Sequence, residues 1–190
     1  MLANLRLATL EDIPSLEILI AQSARGLSAP FYSSAQIEAK LRHVFGVDTQ
    51  LIHDGTYFVI EEDSALVACG GWSRRGTLFG GDQAKIGPDP LLDPATAPAR
   101  IRAFFVHPGQ ARRGLGTRIL DACTVAAVSA GFRAFELVAT GAGEQLYRIH
   151  GFTLVERFEV DLRGEIRVPV ARMRKNIGPA VMVDFAPPTP

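Results

Sequence analysis

Two cysteines in 190 residues are too few for a disulfide framework. Cys69 sits in an apolar run and Cys123 on a helix face, so both are expected to be buried thiols, and a zinc site would need further ligands at closer spacing. The formal net charge is zero, which removes the electrostatic case for a nucleic acid or an acidic membrane as partner. No apolar run approaches the ~20 residues that a transmembrane helix needs. No cationic flank precedes a sustained apolar run at the start, so no secretory leader is expected. No internal repeat is visible. What remains is most simply one domain with a full core of its own, expected in the cytoplasm.

Two further absences narrow the most informative stretch, residues 101–130. The run Ala103-Phe104-Phe105-Val106 reads as a buried strand, and His107-Pro108-Gly109 ends it, because proline cannot continue a ladder. A helix begins near Gly114 with Leu115, Ile119, Cys123, Ala126 and Ala130 as its expected inner face, and Gly131 stands where a C-cap is expected. The turn between them is rich in glycine and arginine. Glycines let backbone N–H groups close around an anion, and the helix dipole with Arg112 and Arg113 favours negative charge there. Gly109 and Gly114 have the gap of a nucleotide P-loop, but Leu115-Gly116 replaces its lysine and hydroxyl. A dinucleotide fingerprint fails as well, since Ile119 stands where its third glycine belongs. The turn is a phosphate cradle of another kind.

Around it the chain alternates strand and helix patterns. Leu5-Arg6-Leu7 is a short strand, and Thr9 or Asp12 caps a helix with Ile13, Leu16, Leu19 and Ile20 inward. Residues 24–33 read as a loop holding Phe31 and Tyr32. Ser33 with Gln36 forms a capping box for a helix through Ile37, Leu41 and Phe45 that stops at Gly46. Thr56-Tyr57-Phe58-Val59-Ile60 and Ala65-Leu66-Val67-Ala68-Cys69 pair as a hairpin across Glu62-Asp63-Ser64, the second strand running on to Trp72. Residues 74–99 show no period and form a long loop of a length often tied to function. Strand 134–140, a short helix 143–149, a strand from Gly151-Phe152 to Asp161, a turn at Arg163-Gly164-Glu165 and a final strand 166–174 follow. The tail after Asn176 holds four prolines and the apolar patch Val181-Met182-Val183, expected over the surface or on a partner subunit.

Val106-His107-Pro108 followed by Arg113-Gly114-Leu115-Gly116 resembles the pyrophosphate loop of the GCN5-related N-acetyltransferase (GNAT) family, [Q/R]-x-x-G-x-[G/A] after a strand ending V-x-P; Ala111 stands at its first position. A second motif, Thr140-Gly141-Ala142-Gly143-Glu144-Gln145-Leu146-Tyr147 ahead of Gly151-Phe152, is similar to the family's Asn-x-x-Ala-x-x-Leu/Phe-Tyr stretch, with Thr140 and Gly143 replacing its Asn and Ala. The order β-α-α-β-β-β-α-β-α-β-β fits the same family over residues 4–176, with 177–190 as a tail. The resemblance implies an α/β fold in which helices flank a mixed central sheet, and acetyl-CoA as the acyl donor, with no metal. It implies acetyl transfer to a primary amine of a small molecule or peptide, and a homodimer.

By resemblance the cofactor's pyrophosphate lies on Ala111-Arg112-Arg113-Gly114-Leu115-Gly116-Thr117, and its pantetheine arm runs beside Phe104, Phe105 and Val106, near Thr140. Tyr147 holds the family's general-acid position. Phe31, Tyr32 and Trp72 lie where the acceptor groove is walled. Arg74 and Arg75 are candidates for an acidic substrate or a 3′-phosphate, although a solvated hairpin end accounts for them too. No base stands out. Glu136 is the nearest acid, with an ion pair to Arg102 expected across strands, and His107 titrates in a useful range. Relayed water serves equally. A non-catalytic acyl-CoA sensor and a structural interaction domain remain as other readings.

Overall fold

The computed structural model describes residues 3–164 and 166–178; the apolar patch at Val181-Met182-Val183 and Glu165 lie outside them. Seven strands form one sheet: β1 (Asn4–Leu7), β2 (Tyr57–Glu62), β3 (Ala65–Ser73), β4 (Ala99–Val106), β5 (Ala134–Ala139), β6 (Thr153–Leu162) and β7 (Ile166–Asn176). Their order is β1-β2-β3-β4-β5-β7-β6. Only β4 and β5 pair in parallel, joined by the right length of crossover through a helix.

The sheet is covered on both faces. On one, α1 (Ile13–Ser28) packs Leu16, Leu19 and Ile20 on Tyr57, Val59 and Cys69. Here α2 (Ser34–His43) and the short α3 (Thr49–His53) follow it. On the other, α4 (Leu115–Ser129) lays Leu115, Ile119 and Cys123 on Ala68, Ile101 and Phe135, beside α5 (Gly141–Ile149). The inner stripe of α4 continues to Ala127 by steps of four, whereas Ala130, expected inside, is exposed. Both cysteines are free and buried, and desolvation pushes the Cys69 thiol up to about 12 and raises Cys123 too, so neither is a nucleophile at neutral pH.

Three differences from the sequence reading have physical causes. Residues 24–28 belong to α1, not to a loop. Gly26 is there for clearance: a Cβ at this position would lie 2.3 Å from Pro108 Cγ. The five-residue α3 was not expected; Asp48 caps it by accepting from the Gln50 N–H at 3.2 Å. Third, β4 starts at Ala99, which places Arg100 opposite Glu136, and these two make the ion pair at 2.7 Å expected of Arg102.

Arg102 is drawn elsewhere. Its guanidinium is 2% exposed, meets Asp48 Oδ2 at 2.8 Å and donates to the Thr77 carbonyl at 2.8 Å and to the Gly80 carbonyl. Asp48 also pairs with Lys85. This buried cluster ties residues 77–85 of the long loop to β4 and α3. Arg75 fastens the loop's base through Asp54 at 2.7 and 2.9 Å, and Thr77 N–H donates to Asp89 at 2.7 Å. Removing one partner of a buried pair strands the other charge. Asp48→Ala is therefore expected to lower stability by about 3–5 kcal/mol in urea unfolding, against a near-neutral effect for the exposed-pair variant Glu38→Ala.

Candidate active site

The site begins where β4 and β5 part. They pair only at Ala99–Phe135 and Arg100–Glu136. Beyond these residues β4 turns through a bulge: Ala103 has φ 54, and the register with β3 slips between Cys69 and Gly71. A bulge adds a residue to one strand and bends it away from its neighbour. The Phe104 ring fits over Gly70, where a Cβ would lie 2.6 Å from it. The main chain of 101–106 is thereby left without a strand on its β5 side. One of its groups is recovered by α1, since Val106 N–H donates to Ser23 Oγ at 3.1 Å.

A cavity of about 490 Å³ occupies the gap and is lined from both faces of the sheet. On the α4 side its wall is the cradle. Arg112 has φ 65 and Gly114 φ 79, the latter at the N-cap of α4. Alternating positive φ gathers successive N–H groups toward one point, and the first-turn N–H groups of α4 have no carbonyl within the helix to bond. A glycine at 116 leaves room for Leu146, to which a Cβ would come within 3.0 Å. These features suit an anionic, phosphate-bearing group by construction.

Tyr147 lines the same cavity from α5. Its ring is held edge-on between Phe104 at 6.0 Å and Phe152 at 5.5 Å between centroids. Burial, with Cys123 beside it, raises its pKa well above that of a free tyrosine, so the phenol keeps its proton. Among the described residues no acidic side chain lines the cavity, and no group of His, Cys, Asp and Glu is placed to hold a metal ion. No described helix is long and apolar enough to cross a membrane.

A GNAT acetyltransferase domain matches residues 53–154, more than half of the chain. The chain belongs to this family. A structural neighbour named as a GCN5-related N-acetyltransferase, aminotransferase class II, from Rhodopseudomonas palustris shares 19% identity over 93% of this chain and 96% of its own, at TM-score 0.66. PaiA N-acetyltransferase from Thermoplasma acidophilum, solved with coenzyme A, shares 16% over 93% and 99%, at 0.63. Phosphinothricin acetyltransferase from Sinorhizobium meliloti, solved with acetyl-CoA, shares 19% over 94% and 90%, at 0.60. At such identities these neighbours speak for the fold. No curated protein matches the sequence.

Most of the GNAT positions named from the sequence meet in one cavity: Phe104, Phe105 and Val106 on β4, Ala111 to Thr117 apart from Arg113, then Thr140 and Tyr147. Arg112 donates to Gln145 at 2.8 Å across the cradle. Arg113 turns outward to Glu62 at 3.1 Å and stays half-exposed, off the cavity wall. The aromatic trio does not assemble. Trp72 is core, edge-on to Phe132 at 5.9 Å. Phe31 is exposed and covers Gly141 from outside. Tyr32 is buried behind the wall, its O–H donating to the Pro169 carbonyl and accepting from the Gly141 N–H, both at 2.9 Å, so that it caps α5. Glu136 is held by Arg100, His107 accepts from Gly109 N–H, and Arg74 and Arg75 are bound at Asp54, all away from the cavity.

Of the lining residues that the sequence motifs did not single out, Lys40 is the informative one. Lys40 of α2 is 3% exposed, its Nζ 3.1 Å above the Tyr32 ring centroid and without a hydrogen-bond partner. The signal was present, since Lys40 falls at i+3 from Ile37 on the buried stripe of α2. Desolvation lowers its pKa to about 7. Below that pH both folded and unfolded chains carry the charge, and burying it costs the fold a few kcal/mol. Between about 7 and the ordinary 10.5 the unfolded chain binds a proton that the fold does not, so this contribution to stability rises with pH. Lys40→Met is therefore expected to raise the unfolding midpoint at pH 6, with the gain shrinking as pH approaches 10.5.

Proposed function

We propose that this GNAT-family chain transfers an acetyl group from acetyl-CoA to a primary amine of a small molecule or peptide. The observation that carries the reading is the single cavity shared by the cradle, the unpaired edge of β4 and the Tyr147 phenol. Residues 111–117 hold the pyrophosphate through backbone N–H groups at the N-terminus of α4. The pantetheine arm takes the place of the missing strand beside Phe104 and Phe105, and a β4 N–H polarises the thioester carbonyl.

The thioester is already activated, so the protein's task is alignment and proton traffic. An alkyl ammonium, with a pKa of about 10.4, first loses a proton to solvent water. The amine nitrogen attacks the carbonyl carbon, the C–S bond breaks and Tyr147 donates its proton to the sulfur. The surplus proton on the new amide nitrogen returns through water to the phenolate. The role rests on the place of Tyr147 on the cavity wall; burial holds its proton more tightly than a free phenol does, which by itself makes the group a weaker acid. A cytoplasmic homodimer, without nucleic-acid or membrane partners, belongs to the same reading.

Isothermal titration with acetyl-CoA is the direct check. Saturable binding is expected in the wild type and its loss in Gly114→Val, since φ +79 is strained for a β-branched residue. Absence of binding at millimolar ligand in the wild type would remove the acyl donor from the reading. Tyr147→Phe should keep acetyl-CoA affinity while kcat for CoA release falls about 10²-fold or more. Binding without turnover of any amine by the wild type would leave a non-catalytic acyl-CoA sensor.

A further inference from the structure

The end of the cavity on the α1–α2 face is apolar. Ala24, Val44, Phe45, Leu162, Val168 and Val170 line it. Lys40 interrupts it: the residue lines the chamber, and its buried Nζ, folded back on the ring faces of Tyr32 at 3.1 Å and Phe45 at 5.1 Å, has no hydrogen-bond partner among the described residues. A buried polar group without a hydrogen bond is costly and asks for an explanation. Among the described residues no carboxylate pairs with it. Ala24 and Ser28 face the chamber from α1, and valines and a leucine from β6 and β7. The carboxylates of the surrounding elements are engaged elsewhere or face solvent: Glu38 pairs with Arg25, Glu144 with Arg148 and Arg157, Glu156 with Arg172, Glu159 with Arg167, and Asp48 with Arg102 and Lys85, while Asp161 accepts from the Gly164 N–H and Glu17 is exposed. Arg102, the other cation on this side, is already neutralised by Asp48.

The chamber lies close to the chemistry. Phe45, which Lys40 touches, packs edge-on to Phe105 of β4 at 5.3 Å. An acceptor with a second positive charge would meet the unpaired Lys40 with no carboxylate among the described lining residues to receive it. One with a negative charge would relieve the bare ammonium, and charge-assisted hydrogen bonds in a dry site are strong. We propose that the acceptor is an amine joining an apolar body to a carboxylate, as in an apolar amino acid, and that Lys40, its Nζ turned off the Tyr32 ring into the chamber, anchors that carboxylate. The inference about the acceptor rests on the acetyltransferase reading; the anion site itself does not.

The test uses the full chain and two probes of one shape, 3-phenylpropanoate and 3-phenylpropanamide, titrated calorimetrically at pH 6.5. The carboxylate is expected to bind at least tenfold more tightly than the amide, and the preference to vanish in Lys40→Met. It should also weaken as pH rises above about 7, where Lys40 loses its proton. Equal binding of the two probes, binding of neither, or a preference that survives in Lys40→Met overturns the anchor. A turnover arm compares phenylalanine with 2-phenylethylamine in CoA release, and kcat/KM at least tenfold higher for phenylalanine is expected. Equal turnover of both overturns the acceptor class while acetyl transfer stands. If Lys40→Met lowers kcat for both amines alike, Lys40 is a base and the proposal fails. Carboxylate binding with no turnover of any amine supports the anchor and defeats the transferase reading instead.

Discussion

Everything at the site depends on two parallel strands that pair for only two residues. Arg100 and Glu136 pin the closed end through a half-buried ion pair, and the Ala103 bulge turns β4 away beyond it. A sheet left open in its middle exposes main-chain groups that must find partners. Here Ser23 from α1 takes the Val106 N–H, and the rest of the edge borders the cavity. Because the gap passes through the sheet, a group lying on the α4 face and another lying on the α1–α2 face meet edge to edge. Acyl transfer between two separately bound molecules requires such a meeting.

The two ends of the cavity are built by opposite means. The cradle uses backbone: positive φ at Arg112 and Gly114, and the unpaired N–H groups of a helix start. It needs few side chains, which is why Arg113 can turn away to Glu62 without dismantling it. The other end uses side chains alone, an apolar chamber with one desolvated lysine. Tyr32 links the two. Its ring lies under Lys40 while its hydroxyl accepts from the first N–H of α5, the helix that carries Tyr147.

Local patterns were legible wherever the chemistry is local. The Ser33–Gln36 capping box formed as read, the Thr56–Cys69 hairpin paired, and the glycine loop opened α4. The misreadings came from residues whose reason lies far along the chain. Residues 24–28 were expected in a loop but continue α1, where Gly26 makes room for Pro108, and Phe31, Tyr32 and Trp72 looked alike although the fold sends them to the surface, the wall and the core. The ion pair of Glu136 required the parallel register of β4 on β5, two residues away from the expected partner. A shift of that size keeps a side chain on the same face of a strand, so alternation alone cannot detect it.

The sequence by itself determined the order of elements apart from α3, the glycine turn that opens α4 and the family, because each is written in periodicity or in motifs of contiguous residues. Tertiary structure decided which charges are satisfied. Arg102 found Asp48 and Arg75 found Asp54 across the long loop, while Lys40, on an equally apolar background, found only aromatic faces among the described residues. Electrostatic pairing depends on distances of a few ångströms between residues remote in sequence, and burial in one cavity makes those distances matter. The motif that carries Tyr147 could be read from contiguous residues; that its ring lies between Phe104 and Phe152 on the wall of the cavity is a property of the folded site alone.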